Sequence, residues 1–134
     1  MKTETMTLDM SSRTFLDVTG DARSFVSGEG DGLLHAFAPH ATAGLALIET
    51  GSGSEQDLEA ILEQVLPRDH AYVHSHGSPG HGRDHVLPAF ISPSLSVPVI
   101  DGDLALGTWQ SIVFVDTNRD NPQRTLRFSF VRST

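Results

Sequence analysis

The hydrophobic and polar positions along the chain follow helical spacing in one long segment. In residues 54–67 (SEQDLEAILEQVLP) the apolar positions recur at i, i+3, i+4, i+7 and i+8, which places them on one stripe of a helix. These positions are Leu58, Ile61, Leu62, Val65 and Leu66. Ser54, followed three residues later by Asp57, resembles a capping box, and Pro67 ends the pattern. The spacing therefore predicts an amphipathic helix that ends at Pro67.

Shorter apolar runs in the first half of the chain predict strands. GLLHAF (32–37) and GLALIE (44–49) are bounded by glycine and proline and are too short for helices. Upstream of them, a β-like run ends at Val18, and Thr19 followed by an acidic turn suits the start of a first helix. The first half of the chain is therefore expected to mix strands with helices.

The segment HAYVHSH (70–76) alternates strictly, with histidine or tyrosine at every second position and a smaller residue between them. As a strand it would project His70, Tyr72, His74 and His76 to one face of a sheet. Further along, residues 96–117 and 125–132 carry alternating apolar positions, and Asp101 with Gly102 is typical of a turn between strands. We expect a β-meander in the last third of the chain.

Together these patterns predict the α+β class. We expect a single compact domain over residues 1–134, with a mixed, mostly antiparallel sheet and one or two main helices. A chain of 134 residues with 38% hydrophobic content is long enough for one real core.

Composition and charge narrow the classes of function. The chain has no run of eighteen apolar residues, and its start (MKTETMTLDM) lacks the apolar stretch of a signal peptide, so we expect a cytoplasmic protein with no membrane partner. The absence of cysteine excludes disulfides and thiolate chemistry. A net charge of -8, with nine Lys and Arg that form no run, makes nucleic acid an unfavourable partner.

Histidine is the residue type that most suggests chemistry. The segment HGSPGHGRDH (76–85) holds three of the seven histidines, and His74 stands just before it. His81 and His85 are four residues apart, which would align them if a helix opens there. Neutral imidazole is the commonest metal ligand, and three histidines with an open coordination position would suit a catalytic divalent ion. For any one of these histidines the alternative is a solvated loop side chain.

Four segments of the chain form a recognisable series: APHATAGLALIE (38–49), YVH (72–74), RDHVLPAF (83–90) and VPVIDGDLALGTWQSIVFVD (97–116). Their order and spacing, over about residues 15 to 130, resemble the YjbQ-like family, whose members are often described as secondary thiamine-phosphate synthases. The resemblance implies a compact α+β domain that assembles as a homotrimer. It also implies a divalent metal ion, such as zinc, magnesium or manganese, held by His40, His74 and His85, with His76 and His81 as extras of this chain.

The same resemblance implies further site residues. Asp57, Glu49 and Gln110 would be catalytic, and Thr42, Trp109 and Gln110 would bind substrate or anion. Ala41 stands where the family has a first threonine, which leaves Thr42 as the hydroxyl of that pair. Asp57 is equally explained by the start of a helix, and Trp109 and Gln110 by packing.

Two classes of function follow from these observations. The first is a metal-assisted enzyme that acts on a small phosphorylated molecule, with thiamine-phosphate synthesis as the named candidate. The second is a non-catalytic module that binds a metal or a small ligand. An amide in place of Asp57 or Glu49 would separate them, since it should abolish turnover and leave metal affinity mostly intact.

Overall fold

The computed structural model describes all 134 residues, which form eight strands and four helices. Along the chain these are β1 (Lys2–Asp9), β2 (Phe15–Asp17), α1 (Thr19–Val26), β3 (Gly32–Phe37), β4 (Ala43–Ile48), α2 (Ser54–Val65), α3 (His81–Asp84), α4 (Leu87–Phe90), β5 (Ser94–Ile100), β6 (Asp103–Leu104), β7 (Ser111–Asp116) and β8 (Gln123–Arg132). They confirm the α+β class. None of the helices has the length and apolar character needed to cross a bilayer.

The strands form two antiparallel sheets. The larger sheet has the order β1-β8-β3-β5-β6, and the smaller has the order β2-β7-β4. Every pairing in both sheets is antiparallel. The main core contains inward-facing side chains of both sheets together with α1, which explains the alternation of Leu126, Phe128 and Phe130 along β8.

Strand β7 is the centre of the smaller sheet and is buried on both faces. Ile112 and Phe114 point into the main core. Val113 and Val115 point the other way, into a second cluster that α2 and α4 complete with Leu62, Leu66 and Leu87. Because both faces are covered, the strand is an almost continuous apolar run. Truncation of a buried phenylalanine in such a layer costs about 3–5 kcal/mol.

The predicted amphipathic helix is confirmed, with a different N-cap. It begins at Ser54 behind Gly53, whose carbonyl accepts the N–H of Asp57 at 3.0 Å. Ser54 is thus the first helical residue and makes no side-chain cap, so the predicted capping box is wrong. Within the predicted stripe, Leu62 and Leu66 are buried, whereas Ile61 and Val65 lie on the flank and are about half exposed.

Two predictions about strands are wrong. Residues 70–76 form no strand, since the segment has no apolar face to bury and Val73 is fully exposed. The last third of the chain is not a meander, because β7 joins the smaller sheet while β5, β6 and β8 belong to the larger one. Strand β1, whose polar alternation gave little signal, was missed.

The turn predicted at Asp101 and Gly102 is confirmed. It joins β5 to β6, and both residues have positive φ, 51° and 76°. A two-residue hairpin turn of the I′ kind requires positive φ at both central positions, which Asp-Gly tolerates well. Asp101 and Gly102 therefore have the backbone conformation that the hairpin between β5 and β6 requires.

Candidate functional site

Three histidines converge beside the smaller sheet. His74, His81 and His85 each offer a ring nitrogen, and these three atoms all lie within 4.8 Å of one another. A tetrahedral zinc ion with Zn–N bonds of about 2.0–2.1 Å separates its ligand nitrogens by roughly 3.3 Å. Small side-chain rotations would therefore bring the three nitrogens around one ion.

Helix α3 sets the positions of His81 and His85. The helix covers His81–Asp84 and His85 caps it, with its backbone N–H directed to the carbonyl of His81. The two side chains therefore lie on one face of a single turn, four residues apart. Their Nε2 atoms are 2.9 Å apart.

The close approach of His74 depends on a glycine in α3. A Cβ at Gly82 would lie 2.4 Å from the carbonyl oxygen of His74 and 2.5 Å from the Cβ of Tyr72. Only glycine lets the backbone of the 72–74 segment cross α3 this closely. The Nε2 atom of His74 is buried and has no hydrogen-bond partner. An unpaired buried nitrogen is costly, and a metal ion would supply the missing partner.

A carboxylate orients the ring of His81. The Nδ1 atom of His81 lies 3.1 Å from Asp120 Oδ2, and the backbone N–H of Ser78 donates to the same oxygen at 3.3 Å. The hydrogen bonds with Ser78 lower the pKa of Asp120 below its usual value, which keeps the side chain an acceptor. Asn118 Nδ2 also lies 3.2 Å from this Nδ1. With Asp120 as the partner, the hydrogen is on Nδ1 and the Nε2 lone pair of His81 is available, the arrangement common behind metal-binding histidines.

The electrostatics of the cluster favour neutral imidazoles. Desolvation lowers the pKa of His74, and the neighbouring rings of His76, His85 and His81 lower it further. The pKa of His85 is also lowered, first by desolvation and then by His81 and His76. Metal ions bind the neutral form of histidine, so these shifts prepare both side chains as ligands near neutral pH.

His40 lies outside this group of three, beside the buried ion pair of Arg124 and Asp116. Its Nε2 accepts the backbone N–H of Thr125 at 2.9 Å, and its Nδ1 is 3.4 Å from Arg124 Nη1. Burial lowers the pKa of His40, and the positive charge of Arg124 lowers it further. His40, His81 and His85 line one cavity of about 350 Å³. His40 thus borders the same space as the triad, and its role as a metal ligand stays a prediction.

Thr42 is buried and contacts both members of the Arg124–Asp116 ion pair. Its hydroxyl donates to Asp116 Oδ1 at 3.2 Å and accepts from Arg124 Nη2 at 2.9 Å. Arg124 Nε donates to Asp116 Oδ2 at 2.7 Å. Burial raises the pKa of Asp116, while the bonds from Asn118 and Arg124 oppose that shift. Thr42 therefore contacts the residues that hold Arg124 in place.

The other predicted site residues lie at the far end of the smaller sheet. Ala43, next to Thr42, pairs with Asp116, whereas Ile48, next to Glu49, pairs with Ser111 at the opposite end. Five strand residues at about 3.3 Å each separate the two ends by roughly 17 Å. Trp109 and Gln110 directly precede Ser111 and lie at the same end, and Asp57 lies in the first turn of α2, the helix that follows β4. None of these residues belongs to the group that could hold an ion.

The local structure accounts for Gln110 but not for Trp109. Trp109 is 72% exposed, so packing within this chain does not account for it. Gln110 is also exposed, and its Oε1 accepts the N–H of Gly107 at 2.8 Å, which fixes the local turn. Asp57 is an exposed residue in the first turn of α2, where an acidic side chain favours the helix.

The family resemblance made His81 an extra of this chain, not one of the three ligands. The signal for it was the spacing of four between His81 and His85, which places both on one face once a helical turn forms there. His76 is exposed, with its ring centroid 4.1 Å from that of His74. The other two histidines are separate from the cluster: His70 contacts the ring of Tyr72, and His35 lies near Ser96 on the larger sheet.

Known proteins resemble the chain along almost its whole length. Residues 4–133 match the family model described as UPF0047 protein YjbQ-like. A UPF0047 protein of Mycobacterium tuberculosis is 54% identical over 131 residues, which are 98% of each chain. The UPF0047 protein YjbQ of Salmonella typhimurium is 32% identical over 112 residues, which are 81% of each chain.

Solved structures show the same fold. A hypothetical protein from Aeropyrum pernix superposes with a TM-score of 0.87 at 30% identity, over 99% of this chain and 100% of that one. A YjbQ/UPF0047 family protein from Clostridium acetobutylicum superposes with a TM-score of 0.84 at 28% identity, over 96% and 99% of the two chains. The arrangement of two sheets is therefore shared with proteins of distant organisms.

Proposed function

The chain belongs to the UPF0047 family of YjbQ-like proteins, and we propose that it is a metal-assisted enzyme acting on a phosphorylated small molecule. The observation that carries the proposal is the convergence of three histidine nitrogens within 4.8 Å, in a group where the Nε2 atom of His74 is buried without a partner. Outside metal sites, a buried imidazole nitrogen is usually hydrogen-bonded.

The donor set favours zinc among divalent ions. Three neutral imidazoles suit zinc, whereas magnesium and manganese prefer oxygen ligands, and the group of three contains no carboxylate. A fourth position would remain open to water or substrate, as in catalytic zinc sites. A divalent ion held there would act as a Lewis acid on a phosphoryl oxygen.

The residues of the chain have separate tasks in this proposal. His74, His81 and His85 hold the ion, and Asp120 fixes the orientation of the His81 ring. The cavity shared with His40 leaves room for the substrate. As the named candidate, thiamine-phosphate synthesis would join a pyrimidine diphosphate to a thiazole phosphate and release pyrophosphate.

In their own chain, Glu49 and Gln110 lie at the far end of the smaller sheet. As catalytic residues, together with Asp57 of the helix that follows, they would act at the histidines of a neighbouring subunit. We therefore propose a homotrimer in which this end of one subunit approaches the histidines of the next. The exposed Trp109 at the same end supports an interface there.

A non-catalytic metal- or ligand-binding module is the second candidate. The observation that favours it is that none of the predicted acid–base residues lies beside the triad within one chain. Such a module would need the histidines and nothing from the far end of the sheet.

The metal content and turnover of the purified protein test the proposal. We expect about one zinc per chain, and formation of thiamine phosphate from the two phosphorylated precursors that Glu49→Gln and Asp57→Asn abolish without loss of zinc. Bound zinc with no turnover in any preparation would favour the binding module. Absence of any bound divalent ion, even after incubation with zinc, would contradict both candidates as metal proteins.

A further inference from the structure

A fourth histidine, His76, lies against the triad. Its ring centroid is 4.1 Å from that of His74 and 5.2 Å from that of His81. These three rings line a cavity of about 410 Å³ on the outer side of the cluster. Imidazole ligands around one tetrahedral ion, with Zn–N bonds of about 2.0–2.1 Å, place their ring centroids roughly 5 Å apart. The ring of His76 therefore lies close to the distance from both neighbours that a shared ion requires.

Two contacts of the backbone that follows His76 hold this segment beside the triad. Gly77 has a φ of 87°, and a Cβ there would lie 2.7 Å from Cγ of the His81 ring. Glycine therefore lets the backbone pass directly over that ring. The next residue, Ser78, donates its backbone N–H to Asp120, the carboxylate that also contacts His81. The position of His76 is thus tied to the residues that position His81.

His76 differs from the three other histidines in its exposure. His74, His81 and His85 are partly buried, whereas the side chain of His76 is exposed. His76 also lies outside the group whose nitrogens are all within 4.8 Å of one another, so it would reach an ion there by a rotation of its side chain. Exposed side chains change rotamer rapidly, and here the backbone beside the ring stays fixed. His76 can therefore approach the ion and withdraw from it while the triad keeps its place.

We propose that His76 is an exchangeable fourth ligand of the metal ion. The triad supplies three nitrogens and leaves one position of a tetrahedral ion, for which the imidazole of His76 competes with an oxygen of the phosphorylated substrate. His76 closes this position against water when no substrate is bound, and it withdraws when the substrate binds. One lone pair replaces another, so no proton or electron is transferred. The inference rests on the proposed function for the ion and for the phosphorylated ligand.

Cobalt(II) in place of zinc, with thiocyanate as the competing outside ligand, tests this role, because the visible absorption of cobalt reports which ligands it has. The wild type is compared with His76→Ala and with His70→Ala. His70 is a matched control, since it is an exposed histidine of the same segment whose ring contacts Tyr72 and lies outside the cluster. We expect thiocyanate to bind the cobalt of His76→Ala about tenfold or more tightly than that of the wild type, and His70→Ala to match the wild type.

Metal affinity and X-ray absorption of the zinc-loaded proteins give independent readouts. His76→Ala should lose less metal affinity than His74→Ala and should show one imidazole ligand fewer than the wild type. Equal thiocyanate affinity in cobalt-loaded wild type and His76→Ala would overturn the role of His76 and leave the three-histidine centre intact. A loss of metal in His76→Ala as large as in His74→Ala would contradict an exchangeable ligand. A wild type that binds neither cobalt nor zinc would overturn the metal centre itself, and the role of His76 with it.

Discussion

At the scale of single residues, the role of each histidine depends on what its second ring nitrogen contacts. The Nδ1 of His81 lies against Asp120 and its Nε2 faces the ring of His85, whereas the two nitrogens of His40 lie against Thr125 and Arg124. The sequence could show that histidines cluster near residue 80. It could not show which ring nitrogens are free, because those partners come from residues 118–125, far along the chain.

We expect Asp120→Asn to lower zinc affinity about tenfold. The amide of asparagine can rotate to present a donor to Nδ1, so it no longer favours the tautomer of His81 that has its hydrogen on Nδ1. Loss of such a partner behind a metal ligand typically lowers metal affinity about 10–100-fold. Asp69→Asn is a suitable control, as an exposed aspartate outside the cluster. Zinc titration by calorimetry measures both, and an Asp120→Asn affinity equal to that of the wild type would contradict the orienting role.

The lowered pKa values of His40, His74 and His85 predict that the metal-free protein loses stability on acidification. In each case the pKa in the folded protein lies below the usual 6.5. The unfolded chain therefore binds more protons between the two values, so stability falls as the pH drops through about 6.5 and levels off below the folded pKa.

Thermal unfolding from about pH 7.5 down to about pH 5.5 checks this dependence. His74→Ala should show a smaller fall in Tm over that range than the wild type, because it removes one of the three groups. His35→Ala should follow the wild type. A Tm that rises on acidification would contradict the pKa shifts.

At the scale of elements, the 70–76 segment shows where local pattern and tertiary structure disagree. Its alternation predicted a strand, but its role in the fold is to carry His74 across α3 as irregular backbone. The helices and strands with a clear apolar face, such as α2, β3 and β4, could be predicted because burial of that face decides their structure.

Gly82→Ala should damage the metal centre without changing any ligand. The added Cβ would meet the carbonyl of His74 at 2.4 Å, so the 72–74 segment must move away from α3. We expect zinc affinity to fall by about tenfold or more, the cost of moving one ligand out of reach.

Gly20→Ala is the matched control, since a Cβ there meets nothing within 4 Å and the residue lies in α1. This control should keep wild-type zinc affinity and gain slightly in stability, by about 0.5–1 kcal/mol. Equal zinc affinity in the two glycine variants would show that close packing at Gly82 does not position His74.

At the scale of the whole molecule, two groups of predicted site residues lie apart. The histidines lie at one end of the smaller sheet and Glu49, Trp109 and Gln110 at the other. That distance could not be predicted from the residue pattern, since it depends on the register of β4 against β7.

Light scattering across micromolar concentrations tests the homotrimer. We expect about three times the chain mass of 14.5 kDa. Trp109→Ser should shift the protein toward monomer if the far end of the sheet forms the interface. A wild-type monomer throughout the range would end the proposal that one subunit supplies Glu49 or Gln110 to the histidines of another.

Zinc titration of seven single histidine-to-alanine variants tests most directly whether His74, His81 and His85 hold one divalent ion. We predict losses of at least about tenfold, roughly 1.4 kcal/mol, for these three variants and little change at His35 and His70. A comparable loss at His40 would restore it as a ligand. Equal small losses at all seven positions would contradict a defined metal centre.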